Sequence, residues 1–355
     1  MWDDQLGAGL QIALFDAAAK AADCPLWQLL GQQVRDRCHI SWWDIDLSAE
    51  DWISECRLAA ENGYTAYKTK GRPWWSLIDN LRELCATLPE HFEVDMDFNG
   101  FGIDTAHSTR LLKELEQFHH VVMFESPIPH HDVAGYTFLR QHTHVPISMH
   151  TQNHPGEPSL ETAIREEMVD GFVVTGGATK IQQDALVCRE FNKSFFLQVV
   201  GTKIAGAFGL HLGAVLEHAR WPSVNCFQLF ERDCVSTPLE VSNGLCTVPD
   251  GPGLGIELDE EAIELFGCEP KEKPYPHPDL VIECNLHDSD NRLLDRVHQV
   301  VPREAFRANF LYVLHDALAP GEYSLVVRCG GQEVARRRIV LEPAADAVQP
   351  APVAN

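Results

Sequence analysis

Short apolar runs alternate with amphipathic segments along most of this sequence, and that alternation constrains its fold more than any other feature. The runs recur about every 25 residues, and each precedes a segment with apolar residues at helical spacing. A repeated strand-then-helix pattern is typical of a parallel sheet covered by helices. The eight runs are His39–Ile45, Tyr64–Lys70, Phe92–Asn99, Val121–Pro127, Pro146–Thr151, Gly171–Thr175, Phe195–Val200 and Val224–Phe230.

Eight such units predict an α/β protein in which the parallel strands close into a barrel. The alternative is an open, doubly wound sheet, which usually carries a glycine-rich phosphate-binding turn after its first strand. No such turn follows Ile45, and Gly176-Gly177 alone does not make one. The sequence therefore favours the barrel.

Changes in composition predict further segments around a barrel that spans residues 38–267. Residues 268–278 are rich in proline and charge, which is typical of a linker. Residues 279–342 have the alternation of short strands and predict a small, all-β, sandwich-like domain. Its predicted strands are Leu280–Leu286, Phe310–Val313 and a hairpin of Tyr323–Arg328 with Glu333–Leu341. The Ala- and Pro-rich residues 343–355 predict a disordered tail.

The charge balance restricts the class of partner. The chain has 28 Lys and Arg against 52 Asp and Glu, a net charge of −24, which argues against nucleic acid or an anionic membrane. No run of about 18 apolar residues and no basic-then-apolar leader occurs, so nothing predicts a membrane span or secretion. The eleven cysteines are scattered without a CxxC pair, as free thiols in a reducing compartment would be. We expect a cytoplasmic protein.

Charged side chains stand at the ends of consecutive runs. Lys68 and Lys70 are two residues apart, so both point to one face of a strand. Two ammonium groups side by side lower each other's pKa, which suits a lysine to act as a base near neutral pH. A lone Lys-x-Lys is more often a solvated pair on an edge strand. Here, steps of 27, 28 and 25 residues lead from Lys70 to Asp97, Glu125 and His150.

These spacings place the side chains on neighbouring strands of one rim, because the strands of a parallel barrel end at the same face. Oxygen ligands on adjacent strands are what a hard divalent cation such as Mg²⁺ requires. A single carboxylate at such a position is usually a surface or capping residue. Two of them at matching strand ends, beside a lysine pair, favour a metal site instead.

The motifs at these positions resemble those of the enolase superfamily, in its mandelate racemase and muconate-lactonizing branch. The resemblance covers residues 7–266, and Gly7–Gly31 is similar to the helix that precedes the family's barrel. The motifs are Lys68-Thr-Lys70, Asp97-Phe-Asn99-Gly100, Phe124-Glu125-Ser-Pro127, Val145-Pro-Ile147, Gly176-Gly177 and Pro249-Asp-Gly-Pro-Gly-Leu-Gly255. Residues 1–37 would then be a remnant of the family's N-terminal capping domain.

The resemblance implies a modified (β/α)7β barrel that holds one Mg²⁺ and gathers the carboxylate of an organic acid. A base removes the proton α to that carboxylate, and the metal stabilises the enediolate. By position, Lys70 is the implied base, and Lys68 lowers its pKa and contacts the substrate carboxylate. Asp97 and Glu125 are the implied first two metal ligands, with Asn99 a polar partner near them.

Two further positions of the resemblance leave alternatives open. Glu231 is similar to an acid that assists the oxyanion in racemase-like members, and a loop role is an equal alternative. The third metal ligand of the family is an acid just after the fifth strand, where this chain has His150 and Thr151. An imidazole is a softer ligand, so Mn²⁺ or another divalent cation is an alternative to Mg²⁺. His150 and Thr151 are also candidates for contact with the substrate.

The opposite face of the site lacks the family's second acid or base. The positions read Val174-Thr175-Gly176 and Gln198-Val-Val-Gly201-Thr202, and Lys203 would need a register shift to reach the site. Thr175 is therefore a candidate substrate contact, and one-base chemistry is favoured over two-base racemisation. The capping domain of the family is also missing from this sequence. Either the start of the sequence is truncated, or the site is open to water, which weakens enolate stabilisation, or it is covered by another chain or by the β domain.

We therefore expect a metal-dependent enzyme that resembles a sugar-acid dehydratase or a racemase, that is, a carbon–oxygen lyase or an isomerase. Its expected partner is a small carboxylate such as a sugar acid, and we expect a homo-oligomer. The alternative, from another class, is a degenerate homologue that binds an organic acid or a protein partner without turnover. A third hypothesis is that the β domain directs the protein to a polysaccharide or a complex.

Overall fold

The computed structural model describes residues 1–45, 47–72, 75–102, 104–150, 157–230, 232–266, 280–301, 319, 321–329 and 332–341. The chain divides into two compact units, Met1–Gly267 and Cys268–Asn355. The predicted linker at 268–278, the strand Phe310–Val313 and the tail at 343–355 lie outside the described residues. The domain boundaries drawn from the sequence stay a prediction.

The first unit alternates strands and helices in the predicted order. Two helices precede the sheet, α1 (Ala8–Ala21) and α2 (Trp27–Leu30). The repeating part consists of β1 (Arg37–Trp43), α3 (Ala49–Glu61), β2 (Ala66–Lys70), α4 (Leu77–Cys85), β3 (Glu93–Asp97), α5 (Thr105–Leu115), β4 (Val121–Glu125), α6 (Val133–His142), β5 (Ile147–His150), α7 (Leu160–Arg165), β6 (Gly171–Val174), α8 (Ala178–Glu190), β7 (Ser194–Leu197), α9 (Lys203–Val215) and β8 (Ser223–Val224). A hairpin of β9 (Val241–Ser242) and β10 (Leu245–Thr247) follows, then α10 (Glu260–Phe266).

The parallel strands form a curled sheet whose ends meet. Strands β1 to β7 pair in sequence order, and β8 pairs in parallel with β1. Single parallel bridges, Phe195 with Ala219 and Gln198 with Val224, join the β7 segment to the β8 segment. The predicted modified barrel of the α/β class is thereby confirmed.

The last barrel strand is shorter than predicted. The sequence predicted a strand that continues to Phe230, but β8 ends at Val224. Cys226 has a φ of 61°, in the left-handed region that extended chains avoid, and a 3₁₀ turn follows at Phe227–Leu229. The chain therefore leaves the sheet after Val224, and the segment up to Phe230 is not part of a barrel strand.

Apolar side chains pack in two places, between the sheet and the helices and on the inner side of the barrel. Phe15, Tyr67, Phe124 and Phe172 belong to the larger cluster and are fully buried. The smaller cluster consists of Met123, Val173, Phe196, Val224 and Cys226. Met123 is two residues before Glu125 on β4, so the two side chains share a face of the strand. The smaller cluster therefore packs on the same side of the sheet as the polar residues, nearer the middle of the strands.

The residues before β1 are packed into the barrel unit. Helix α8 follows Gly177, which offers no side chain to cap the helix. Asp4 accepts hydrogen bonds from two of the first backbone N–H groups of α8 at 3.1 and 2.9 Å, and Gln11 accepts one from a third at 2.8 Å. The first N–H groups of a helix have no partner within the helix, so these contacts satisfy them.

Asp16 on α1 connects this leading segment to the turn-rich segment at 249–255. Its Oδ1 accepts a hydrogen bond from the Leu254 N–H at 2.8 Å, and its Oδ2 pairs with Lys20 at 2.7 Å. The Leu26 N–H donates to the Gly253 carbonyl at 2.8 Å. Hydrogen bonds thus join the segment before the barrel to the turn-rich segment that follows it.

The second unit contains an antiparallel sheet in its described residues. The strands are β11 (Leu280–His287), β12 (Leu293–Val301), β13 (Gly321–Cys329) and β14 (Gln332–Leu341), in the order β12-β11-β13-β14. The predicted all-β character and the β13–β14 hairpin are confirmed. Strand β12 was missed, because Asp295, Arg296, His298 and Gln299 interrupt its apolar pattern.

Two properties hold for the described part of the chain as a whole. No helix there is long and apolar enough to cross a membrane. The cysteines whose side chains are described are free thiols.

Candidate active site

Three adjacent strands bring the predicted base and the two predicted metal ligands into one row. In the parallel register of the sheet, Lys70 on β2 lies opposite Asp97 on β3, and Asp97 lies opposite Glu125 on β4. Lys68 is two residues before Lys70 and shares its face. The side chain of Lys68 is 1% exposed and that of Lys70 is 13% exposed.

The ammonium group of Lys68 lies among acceptors from three strands. It pairs with Glu125 Oε2 and, at 3.7 Å, with Asp97 Oδ2, and it donates to Gln198 Oε1 at 3.0 Å. Its Nζ lies 4.9 Å from the centroid of the Phe196 ring. An ammonium has three N–H donors, and three oxygens surround this one.

The sequence predicted that the two lysines lower each other's pKa, and for Lys68 this is wrong. Burial lowers the pKa of Lys68, but the carboxylates of Glu125 and Asp97 outweigh that effect and raise it above its ordinary value. Lys68 therefore remains an ammonium at neutral pH. Its predicted contact with a substrate carboxylate stays a prediction. The side chain is enclosed by protein, so a substrate would have to displace one of its present neighbours to reach it.

Lys70 is held by the residues that follow β3. Its Nζ donates to Asp97 Oδ2 at 2.6 Å and to Asn99 Oδ1 at 3.0 Å, and it lies 5.7 Å from the centroid of the Trp43 ring. Asn99 has a φ of 47°, a conformation that asparagine tolerates better than most residues. Its backbone N–H and its side-chain amide both donate to Asp97, at 2.8 and 3.0 Å. Asn99 therefore orients Asp97 and Lys70 together, as the polar partner predicted from the sequence would.

The two buried carboxylates differ in their proton affinity. Burial raises the pKa of Asp97, but the positive charges of Lys68 and Lys70 lower it by more than burial raises it. The net pKa is below its ordinary value, so Asp97 is ionised. Burial, and then repulsion from Asp97, raise the pKa of Glu125 although Lys68 opposes them. Within the described residues, Glu125 Oε1 accepts no hydrogen bond.

His150 lies on β5, the strand after the one that carries Glu125, and is near Glu125 Oε1. Its Nδ1 is 3.8 Å from Glu125 Oε1, and the residue is 8% exposed. Burial, together with the charge of Lys68, lowers the pKa of His150 to about 3, so the ring is neutral. A neutral imidazole is the form that binds metals.

The donors at this rim fit a divalent cation held by two carboxylates. Glu125 Oε1, a buried carboxylate oxygen that accepts no hydrogen bond from the described part of the chain, lies beside the ionised Asp97. Mg²⁺ commonly binds one or two protein carboxylates and completes its coordination with water and substrate oxygens. No three His, Cys, Asp or Glu side chains in the described ranges have metal-binding geometry, so His150 as a third ligand stays a prediction.

The other predicted positions have different outcomes. The Thr175 hydroxyl donates to the Gln198 carbonyl at 3.0 Å, which connects the ends of β6 and β7. Within the segment expected on the opposite face of the site, Val200 is 55% exposed, and Gln198 is the residue that contacts Lys68. Thr151 and Glu231 lie outside the described residues.

Two buried acids near the lysines were missed. Asp95 is two residues before Asp97 and lies opposite Lys68 in the register, and its buried Oδ1 accepts no hydrogen bond from any residue that the structure describes. Burial raises the pKa of Asp95, and period-2 alternation from Asp97 could have identified it. Asp44, just after β1, is 4% exposed, and its Oδ2 accepts from the hydroxyls of Tyr67 at 2.7 Å and Thr69 at 3.1 Å.

Similar proteins of known sequence include sugar-acid dehydratases. Over 291 residues the chain is 25% identical to a D-gluconate dehydratase of Thermoproteus tenax, covering 75% of this chain and 57% of that protein. Over 282 residues it is 25% identical to a D-galactonate dehydratase of Pectobacterium atrosepticum, covering 72% of each. The chain thus spans little more than half the length of the gluconate dehydratase.

Similar solved structures, and one sequence family, agree with the barrel. A muconate cycloisomerase from Pseudomonas fluorescens gives a TM-score of 0.64 at 21% identity over 73% of each chain. The 3,6-anhydro-D-galactonate cycloisomerase from Zobellia galactanivorans gives 0.62 at 23% identity, over 72% of this chain and 74% of that one. At these identities the likeness shows the fold alone. The sequence model of the family described as "Enolase C-terminal domain-like" matches residues 51–262.

Proposed function

This chain belongs to the enolase C-terminal domain-like family, and we propose that it is a metal-dependent enzyme that removes the proton α to the carboxylate of a sugar acid. The dehydratases and cycloisomerases among its relatives support an enzyme of the lyase or isomerase type. The names of the gluconate and galactonate dehydratases favour dehydration of a sugar acid over racemisation.

The observation that carries the proposal is the row of Lys70, Asp97 and Glu125 on three adjacent strands. A base and two oxygen donors at neighbouring positions can hold the α-carbon and the carboxylate of one small acid together, which lowers the entropic cost of the reaction. Lys70 is the more exposed lysine of the pair and therefore the one that a ligand at the rim can approach.

A divalent cation at Asp97 and Glu125 would supply the positive charge that stabilises negative charge developing on the substrate carboxylate. Lys70 must first give up to water one of the ammonium protons that it now donates to Asp97 and Asn99, and its side chain is exposed enough for water to reach it. Its neutral Nζ then accepts the α-proton, and Asn99 Oδ1 keeps the amine aligned. In dehydration the protonated Lys70 gives its proton to the departing β-hydroxyl, water leaves as the Cβ–O bond breaks, and the enol product tautomerises to a 2-keto acid. Gln198, a neutral amide, transfers no proton near pH 7, which supports one-base chemistry.

The test is a panel of sugar acids that includes D-gluconate and D-galactonate, incubated with the full chain in D₂O. With Mg²⁺ or Mn²⁺ we expect at least one acid to give a 2-keto acid that carries deuterium at the carbon next to its ketone, or to gain deuterium at its own α-carbon where proton return outpaces elimination. A sample treated with a chelator is the control and should show neither. Absence of both products with every acid under both metals would contradict the proposal.

A second candidate function, binding of an organic acid without turnover, is favoured by one observation. Lys68 already pairs with both of the carboxylates that fit a divalent cation. The panel separates the two candidates when thermal shifts are measured alongside exchange. An acid that raises the melting temperature yet exchanges no proton, in both the wild type and Lys70→Ala, supports the non-catalytic alternative.

A further inference from the structure

The charged groups at the rim already balance one another. Lys68 contacts Glu125 and Asp97, and Lys70 contacts Asp97, so two ammonium groups face two carboxylates. A divalent cation that joins this cluster adds two positive charges to a buried region where they are poorly solvated.

Lys68 and Lys70 differ in which carboxylates they contact. Lys68 pairs with both of the carboxylates that fit a divalent cation, whereas Lys70 donates to Asp97. The ammonium of Lys68 therefore lies between the two acids and attracts the same carboxylates that a cation bound at Glu125 Oε1 would use. An ammonium at this range repels a divalent cation bound to the same carboxylates and draws on the same negative charge, so it weakens the binding of that cation.

Lys68 is also anchored from across the barrel. Gln198 Oε1 accepts from its Nζ at 3.0 Å, and the Phe196 ring lies beneath the same atom at 4.9 Å. Both residues belong to the end of the β7 segment, 128 and 130 positions along the chain from Lys68. The side chain is 1% exposed, so it has no solvent to move into without displacing these neighbours.

We propose that Lys68 is an internal counter-ion that competes with a divalent cation for Asp97 and Glu125, and that Gln198 holds it in this position. The inference concerns cation affinity at the site of the proposed function, and it does not require turnover. It follows that the free site binds divalent cations weakly. An acid that brings its own carboxylate to the rim supplies negative charge, so it strengthens cation binding, and the cation strengthens binding of the acid by the same factor.

The test is Mn²⁺ binding to the full chain, followed by the electron paramagnetic resonance signal of free Mn²⁺. Lys68→Met and Lys70→Met form a matched pair, because each removes one positive charge from the same face of β2. Competition predicts that Lys68→Met binds Mn²⁺ about tenfold more tightly than the wild type and about threefold more tightly than Lys70→Met. Equal or weaker binding by Lys68→Met than by Lys70→Met, or no Mn²⁺ binding by either, would overturn the inference.

A second variant keeps the test decisive if Lys68→Met does not fold, since that substitution leaves buried carboxylates without a counter-charge. Gln198→Leu keeps both lysines and removes one acceptor of the Lys68 ammonium. We expect it to bind Mn²⁺ about threefold more tightly than the wild type, because the ammonium is then less firmly held. Gln182→Leu on α8, whose amide donates to the Leu30 carbonyl at 3.1 Å, is the control and should bind as the wild type does. An unchanged affinity in Gln198→Leu would show that Gln198 does not hold Lys68.

The outcome is independent of the sugar-acid panel. Tighter Mn²⁺ binding in Lys68→Met with no α-proton exchange in the wild type supports the counter-ion and contradicts the proposed function. Exchange in the wild type, with equal Mn²⁺ affinity in Lys68→Met and Lys70→Met, supports the proposed function and contradicts the counter-ion.

Discussion

Lys68 and Lys70 share one face of β2, yet their surroundings suit them to different tasks. Lys68 is enclosed by three oxygens and an aromatic ring, and its ammonium is stabilised there. Lys70 lies two residues further along β2, closer to the rim, and remains partly exposed. A group that must exchange a proton with a ligand needs access to it, so the division of roles follows from burial rather than from residue type.

A buried carboxylate behind this strand gives a prediction about pH. Burial raises the pKa of Asp44 from 3.8 to about 7, against the effect of the hydroxyls of Tyr67 and Thr69. Because the folded pKa lies above the unfolded one, the stability from this group is complete below pH 3.8 and is lost as the pH rises through 7. Asp44→Asn keeps an oxygen acceptor for both hydroxyls and removes the titration.

We expect the free energy of unfolding of Asp44→Asn, relative to the wild type, to increase by about 2–3 kcal/mol between pH 5 and pH 8. Urea unfolding of both proteins at the two pH values measures this difference. Asp23→Asn, at an exposed position in the same unit, is the control and should show no such trend. A difference between Asp44→Asn and the wild type that is the same at both pH values would be evidence against the shifted pKa.

At this scale the sequence predicted part of the site. The one-unit spacing from Lys70 to Asp97 and Glu125 was sufficient, because strand register in a barrel follows from that spacing. Gln198 was not predicted to contact Lys68, because a neutral amide carries no chemical signal and the contact crosses the barrel interior. The raised pKa of Lys68 was missed for a related reason, since it depends on acids from other strands.

At the scale of elements, the barrel unit depends on hydrogen bonds between segments far apart in the sequence. Asp16 on α1 accepts from the backbone of Leu254, in the turn-rich segment after the barrel. The same carboxylate pairs with Lys20, whose side chain is 51% exposed. A hydrogen bond from a partly buried backbone group contributes more to stability than an exposed ion pair does.

Two substitutions separate these contributions. We expect Asp16→Ala to lower the free energy of unfolding of the barrel unit by about 1–3 kcal/mol, because the Leu254 N–H loses its acceptor. Lys20→Ala removes only the exposed partner and should cost no more than about 1 kcal/mol. Chemical unfolding followed by tryptophan fluorescence measures both. An equal cost for the two variants would mean that the hydrogen bond to Leu254 adds nothing to the stability beyond the ion pair within α1.

The order of the elements was predictable because each strand and helix carries its own periodicity. The errors occur where a local feature overrides the pattern. Strand β8 ends early at the left-handed Cys226, and polar residues on β12 hide its strand character. Both are properties of single residues that an apolar pattern does not report.

At the scale of the whole molecule, the proposed chemistry belongs to one of the two units. The family match at residues 51–262 and every described site residue lie within Met1–Gly267. The second unit, with its four described strands, has no residue in the proposed mechanism. Its predicted role in directing the protein to a polysaccharide or a complex stays a prediction, as does the expected homo-oligomer.

The central claim is that the barrel brings Lys70 to the α-carbon of an acid bound at Asp97 and Glu125. The most direct measurement is the rate of α-deuterium incorporation, by proton NMR, into the acid that the panel identifies. Lys70→Met should exchange about 10²–10⁴-fold more slowly than the wild type at equal saturation with Mn²⁺, since it lacks the base. Lys113→Met, which removes an exposed lysine paired with Glu116 on the outer helices, should exchange at the wild-type rate. Exchange by Lys70→Met at the wild-type rate would contradict the account.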